Sequence, residues 1–274
     1  MENDIEKFYE VALDLVKQAG TLIRDRLNEK KSVEIKSGDI DFVTETDKQV
    51  EQLLIDGLSQ TFPSHNFIGE ESVAGGAQCS LSDDPTWIID PVDGTLNFVH
   101  GFPHSCISLG LFIKKEPEIG IIYNPNLEQL FTAKRSQGAF LNGKRIHVSD
   151  VTKLSDSLIV FENGTSRDVE KFKVLRENYQ TLVPLTQGMR SLGSAALNMT
   201  MVAMGGADVY FEYGTHIWDI AAGELIVKEA GGVFIDPSGG DVDRMSRRFL
   251  CASTQSLADE LCKKLVQYYP VPRD

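Results

Sequence analysis

Three groups of carboxylates in this chain stand at or just beyond apolar runs. Phe67-Ile68 leads into Gly69-Glu70-Glu71-Ser72, and Trp87-Ile88-Ile89 leads into Asp90-Pro91-Val92-Asp93-Gly94-Thr95. The third group is His216-Ile217-Trp218-Asp219-Ile220-Ala221-Ala222. A carboxylate placed just past a buried strand is costly to desolvate unless a cation or a donor meets it. Oxygen donors of this kind suit a hard ion such as Mg²⁺. Pro91 enforces an extended or turned backbone, which lets Asp90 and Asp93 converge on one side of a tight bend. Gly94 permits close backbone approach, and a helix beginning at Thr95 would aim its unsatisfied N–H groups at a phosphate. One short segment could then hold a cation and an anion together.

Each group has a plainer reading when taken alone. Asp90 could cap a turn, Glu70 and Glu71 could be a solvated pair, and Asp219 could simply occupy the first turn of a helix. Their joint occurrence favours a metal site. His65, His100, His104, His147 and His216 show no ligand spacing with cysteine or with one another, which argues for surface or structural roles rather than zinc. Cys79, Cys106, Cys251 and Cys262 lie far apart and without paired spacings, so free thiols and a reducing cytoplasm are expected.

The elements that must position these groups follow from periodicity. Ile5, Phe8, Ala12, Leu15, Ala19, Leu22 and Ile23 recur at three- and four-residue steps, which predicts an amphipathic opening helix. A second helix is expected from Thr44 to Asp47 onward, through Val50, Leu53, Leu54 and Leu58, ending before Pro63. Short β-rich runs follow at 87–89, 106–113, 119–123, 129–132 and 139–141, separated by turn residues such as Asn142-Gly143, and they predict a meandering antiparallel sheet. Beyond a boundary near Val148 to Leu154, strands at 158–161, 186–191, 209–211 and 233–235 alternate with helices at 168–179, 195–204 and 218–229, as in an α/β layer. No linker rich in proline, glycine or serine separates the halves, so they are expected to pack closely.

Composition narrows the class of protein without choosing a function. The 274 residues suffice for one large domain or two modest ones. Apolar residues make up 42% and charged residues 24%, as in ordinary soluble proteins. A formal charge of −13 argues against a nucleic-acid surface, which needs clustered Lys and Arg. Residues 2–30 carry charge throughout and no apolar run approaches about 18 residues, so neither a signal peptide nor a membrane span is expected.

With an Asp, a Glu-Glu pair, Asp-Pro-Val-Asp-Gly-Thr and Trp-Asp-x-Ala in order, the sequence resembles the inositol monophosphatase family of lithium-sensitive, Mg²⁺-dependent phosphatases. The resemblance extends through Asn97-Phe98, Gly101-Phe102-Pro103, Gly138-Ala139-Phe140, Gly193-Ser194-Ala195-Ala196 and Glu229-Ala230-Gly231-Gly232, and so covers nearly the whole chain. It implies an α/β (α+β) fold, the layered αβαβα sandwich of the sugar phosphatases. Residues 1–148 would supply a helix pair and an antiparallel sheet with most metal ligands, and residues 149–274 an α/β layer with Asp219 and the substrate contacts.

Carried over residue by residue, the resemblance makes Glu70, Asp90 and the Val92 carbonyl ligands of one Mg²⁺, and Asp90, Asp93 and Asp219 ligands of a second. Glu71 and Asp47 would organise waters around a third, loosely held ion. Thr95, hydrogen-bonded to Asp47, would orient the attacking water. The backbone N–H groups of Gly94 and Thr95 would hold phosphate, with Asp93, Gly193, Ser194, Ala195 and Glu212 contacting the alcohol. Glu212 taken alone has a plainer but less favoured reading as a surface carboxylate at a strand end. Lys36 matches a lysine near the family's active site but is not counted among the site residues. The activity implied is hydrolysis of myo-inositol 1-phosphate or a related small polyol or sugar phosphate, by a homodimer. NADP, fructose 1,6-bisphosphate and 3′-phosphoadenosine 5′-phosphate are alternative substrates. A regulatory protein that binds RNA or transcription machinery is the reading from another class, and the acidic charge opposes it.

Overall fold

The computed structural model describes residues 2–27, 33–37 and 41–274, and the Lys36 side chain lies outside the description. The opening helix α1 runs Glu2–Arg26 and buries Ala12, Val16, Ala19 and Ile23. A hairpin of β1 (Val33–Ser37) and β2 (Asp41–Thr44) leads into α2 (Glu45–Thr61). Thr44 caps α2 with extended backbone, and its amide donates to Asp47 Oδ2 at 2.9 Å. Asp47 is thus held by the helix start that the sequence predicts. Val50, Leu54 and Leu58 form the buried stripe.

Seven strands form the first sheet, in sequential order: β3 (Asn66–Gly69), β4 (Thr86–Asp93), β5 (Cys106–Ile113), β6 (Glu116–Asn124), β7 (Gln129–Lys134), β8 (Gly138–Leu141) and β9 (Lys144–Ile146). Only β3 and β4 pair parallel; the remaining pairs are antiparallel, as the meander predicts. Two short helices, α3 (Glu70–Ala74) and α4 (Thr95–His100), start directly after or one residue beyond β3 and β4.

The second sheet has the order β11 (Gly188–Arg190), β10 (Leu158–Phe161), β12 (Val209–Tyr213), β14 (Arg248–Ala252) and β13 (Val233–Ile235). Its first three strands are parallel, and β14 runs against both β12 and β13. The remaining helices are α5 (Val169–Leu182), α6 (Ala195–Ala203), α7 (Ile217–Glu229) and α8 (Gln255–Cys262). Against the sequence expectation, the strand near 186–191 shortens to three residues, and β14 and α8 extend the layer beyond the last predicted strand.

Apolar faces stack these elements in five layers, αβαβα. Helices α1 and α2 cover the outer face of the first sheet through Val16, Leu54, Trp87 and Leu109. Between the sheets, Leu197 and Met199 of α6 and Ile220 and Ile226 of α7 meet Ile122 and Phe131 on one side and Tyr210 and Phe249 on the other. Leu175 of α5 and Leu257 of α8 close the far face. Glycine lets the middle layer approach closely: a Cβ at Gly120 would stand 2.6 Å from the Ala222 carbonyl oxygen. Among the described residues no helix is long and apolar enough to cross a membrane.

Candidate active site

Asp90 and Asp93 both belong to β4, because the bend expected at Pro91 is a bulge within the strand rather than its end. Asp90 pairs with Ser108 and Asp93 with Cys106, so three steps along β4 face two along β5. Proline cannot donate to the ladder, and the irregularity accommodates it. The extra residue has a chemical effect. In a regular strand, residues three apart point to opposite faces, whereas one inserted residue returns the second side chain to the face of the first.

Two neighbouring elements bring further carboxylates to this face. The parallel register places Gly69 opposite Ile89, so Glu70, the first residue of α3, follows beside Asp90. Asp219 sits in the first turn of α7, where its Oδ2 accepts from the His216 amide at 2.6 Å. Asp90, Asp93 and Asp219 each offer an oxygen, and the three oxygens lie within 4.8 Å of one another. Glu70 stands outside that triad but close enough for its charge to act on Asp93 and Asp219.

Electrostatics show what such convergence costs without a cation. Burial pushes Asp93 up to about 6; hydrogen bonds from Ser194, Ala196 and Ala195 oppose the rise, and the charge of Glu70 adds to it. Asp219 is raised well above the usual carboxylate range by burial, then by Asp93 and Glu70. Mutually repelling oxygen donors with no nitrogen or sulfur among them fit a hard divalent cation, which would reverse both shifts.

Thr95 Oγ1 lies 3.2 Å from Asp47 Oδ1 and 2.9 Å from the Val92 carbonyl oxygen, so it can donate to either. The link expected between Thr95 and Asp47 is therefore present. Val92 also donates its amide to Asp90 Oδ1 at 3.1 Å, which fixes the bulge. Gly94 has φ 84° and precedes α4; a Cβ there would stand 2.9 Å from the His104 carbonyl oxygen and 3.1 Å from that of Gly193. Glycine is required on both counts.

The sequence predicts that Ser194 and Ala195 contact substrate, and the structure turns both onto Asp93. Ser194 Oγ donates to Asp93 Oδ2, the Ala195 amide donates to Oδ1 at 3.2 Å, and the Ala196 amide donates to Oδ2 at 2.7 Å. Asp93 thus rests on the N-terminus of α6, where free N–H groups favour a negative charge. Gly193 precedes this turn at φ 82° and donates its amide to Glu162 Oε1 at 2.8 Å. Glu212, on β12, is buried and accepts from the Tyr210 hydroxyl. Burial raises it to about 7, helped by the charge of Glu162 and opposed by Lys171.

Two buried carboxylates that the sequence reading missed hold the backbone around the site. Glu162 accepts from the Ser191 hydroxyl at 2.8 Å, the Leu192 and Gly193 amides at 2.6 and 2.8 Å, and Asn198 Nδ2 at 2.9 Å. Glu51 accepts the amides of Glu71 and Ser72, both at 2.8 Å, and so caps the helix that carries Glu70 and Glu71. A Cβ at Gly69 would stand 2.5 Å from the Glu51 carboxyl carbon, which is why a glycine precedes the pair. Of the histidines, His65 accepts from Trp87 Nε1 and His216 stacks on Trp218, both structural roles. All four cysteines are free.

Acidic oxygens gathered in this way between two sheets suit a divalent cation. The model of the inositol monophosphatase family matches residues 4–269, and the chain belongs to that family. Inositol monophosphatase 1 of Bos taurus is 43% identical over 275 residues, covering 100% of this chain and 99% of the bovine protein. Inositol monophosphatase 2 of Rattus norvegicus is 45% identical, covering 92% of this chain and 88% of its own length. The solved inositol monophosphatase of Anabaena (Nostoc) superposes with a TM-score of 0.83 at 31% identity, over 98% of each chain.

Proposed function

We propose that this phosphatase hydrolyses the phosphate monoester of a small polyol, with myo-inositol 1-phosphate the foremost substrate, and that it uses two or three Mg²⁺ ions per site. The observation that carries this reading is the convergence of the Asp90, Asp93 and Asp219 oxygens within 4.8 Å, next to a further buried acid, Glu212. When bound, Mg²⁺ would acidify a water and neutralise charge on the phosphate. Asp90, Asp93 and Asp219 would hold it, with Glu70 and the Val92 carbonyl completing the donors. That carbonyl has a second lone pair beyond the one facing Thr95. Glu71 would help order the surrounding water.

Thr95 Oγ1, with Asp47 to receive its proton, keeps lone pairs that can accept from the attacking water and aim it at phosphorus. The amide of Thr95, the first residue of α4, has no partner within the helix and, with the amide of Gly94, faces the phosphate in this reading. Glu212 accepts hydroxyls of the alcohol. Gly193 borders that space, and Ser194 and Ala195 act mainly by fixing Asp93. The four free thiols support a reducing cytoplasm, and family resemblance supports a homodimer in which residues 1–148 and 149–274 pack as one unit.

A panel of myo-inositol 1-phosphate, NADP, fructose 1,6-bisphosphate and 3′-phosphoadenosine 5′-phosphate, assayed with Mg²⁺ by phosphate release, tests the substrate. The highest kcat/KM is expected for the inositol ester. A large preference for any of the other three would overturn that choice.

A further inference from the structure

One buried cation near this site has no part in the reading so far. Lys171 lies in the first turn of α5 and is 2% exposed. Among the described residues its Nζ has neither a hydrogen-bond partner nor an ion pair within 4.0 Å. An ammonium largely withdrawn from water with no protein acceptor is costly, and burial accordingly lowers its pKa, while the charge of Glu212 pulls it back up.

Two glycines define the space around Nζ. A Cβ at Gly164 would stand 2.7 Å from Lys171 Nζ and 3.2 Å from Glu212 Oε1, and a Cβ at Gly214 would stand 3.1 Å from Nζ. Both glycines have positive φ, 65° and 97°. The backbone therefore passes beside the ammonium and the carboxylate without placing a side chain between them, and the two charges face each other across a gap too wide for direct contact. The other oxygen of Glu212 is already taken by the Tyr210 hydroxyl, so Oε1 is the one facing the gap.

The charges around the gap select what can fill it. An anion would meet Glu212, with Glu162 and Asp93 behind it. A cation would meet Lys171, flanked by Arg167 and Arg247. A hydroxyl meets neither objection, because one oxygen can accept from Nζ and donate to Oε1.

We propose that Lys171 and Glu212 together form a subsite that reads one hydroxyl of the substrate's alcohol portion, with Lys171 as the donor to that oxygen and Glu212 as its acceptor. This rests on the polyol-phosphatase reading and adds a specificity-determining residue to it. A site built to bind a hydroxyl rejects a ligand lacking it, because the buried polar groups are then left facing each other unpaired.

The test compares wild type, Lys171→Met and Lys171→Gln, each loaded with Mg²⁺ and checked for an intact melting transition. The substrates are the best-hydrolysed hydroxylated ester of the panel and p-nitrophenyl phosphate, whose alcohol has no further hydroxyl. Lys171→Met is expected to lower the kcat/KM ratio of hydroxylated to p-nitrophenyl ester at least about tenfold, chiefly through KM. Lys171→Gln keeps an N–H donor and is expected to recover part of that loss. Should Lys171→Met fail to fold, Gly164→Ala, whose methyl would occupy the gap, is expected to lower the same ratio. Unchanged ratios, or losses shared equally by both esters, overturn the subsite. A wild-type enzyme that hydrolyses no hydroxylated ester overturns the polyol reading and the subsite with it, a result distinct from a variant that matches wild type.

Discussion

Replacing Glu212 by Gln should change the pH dependence of stability in a direction that follows from its burial. The folded protein raises this carboxyl from 4.5 to about 7, first by desolvation and then by the charge of Glu162. A raised carboxyl pKa means that the folded state binds the proton more tightly than the unfolded chain. Stability is therefore fully present below about pH 4.5 and is lost as pH rises toward 7. The whole shift corresponds to about 3 kcal/mol, most of which falls between roughly pH 5 and pH 8. Gln keeps the shape and an acceptor for Tyr210 but carries no charge, so this penalty disappears. Urea melts of both metal-free proteins at the two pH values give the double difference, which cancels the titrating groups that do not sense the Glu212 charge and carries the smaller response of those that do, Asp93 among them. The variant should gain on wild type by about 2 to 3 kcal/mol at the higher pH, or roughly 5–10 °C in melting temperature. A difference that stays constant with pH would show that Glu212 is not held in a costly, desolvated state.

Other perturbations separate metal binding from scaffold. Asp93→Asn removes a charge from the carboxylate triad and turns an N–H₂ group toward the α6 amides; Mg²⁺ affinity by calorimetry is expected to fall at least about tenfold and kcat/KM at least about a hundredfold. Wild-type values for both would remove Asp93 from the proposed metal site. Glu162→Ala leaves the Leu192 and Gly193 amides and Asn198 Nδ2 without their acceptor, at about 1 kcal/mol or more each. The melting temperature should drop by roughly 6–12 °C, and a change below about 2 °C would contradict the role given to this carboxylate.

How much of this site can be read in advance depends on how local its cause is. The segment from Asp90 to Thr95 is legible because proline and glycine impose their geometry wherever they stand. Even so, the bend expected at Pro91 proves to be a bulge, since only the pairing of Asp93 with Cys106 keeps the strand going. The α1 and α2 stripes and the meander are legible for a similar reason, because burial follows the period of each element. Strand β14 was missed: it pairs with β12 and β13, and that pairing is tertiary.

The carboxylates that hold backbone were invisible for a different reason. Glu51 occupies a helix position where a solvated acid would be ordinary, and Lys171 has the appearance of any charged residue in the first turn of an amphipathic helix. Nothing in the residue type separates an acid proposed to meet a cation, such as Asp219, from one that meets amides, such as Glu162. What separates them is which donors the fold delivers. The β3–β4 register brings Glu70 alongside Asp90, and α7 brings Asp219 over the same face, so acids accumulate there faster than N–H groups can satisfy them. At Glu162 the loop before α6 supplies two N–H donors and a hydroxyl, and Asn198 of α6 a third N–H, to one carboxylate. The excess of acceptors over donors, which only the assembled fold can set, is what suits the first cluster to a metal ion and makes the second a brace.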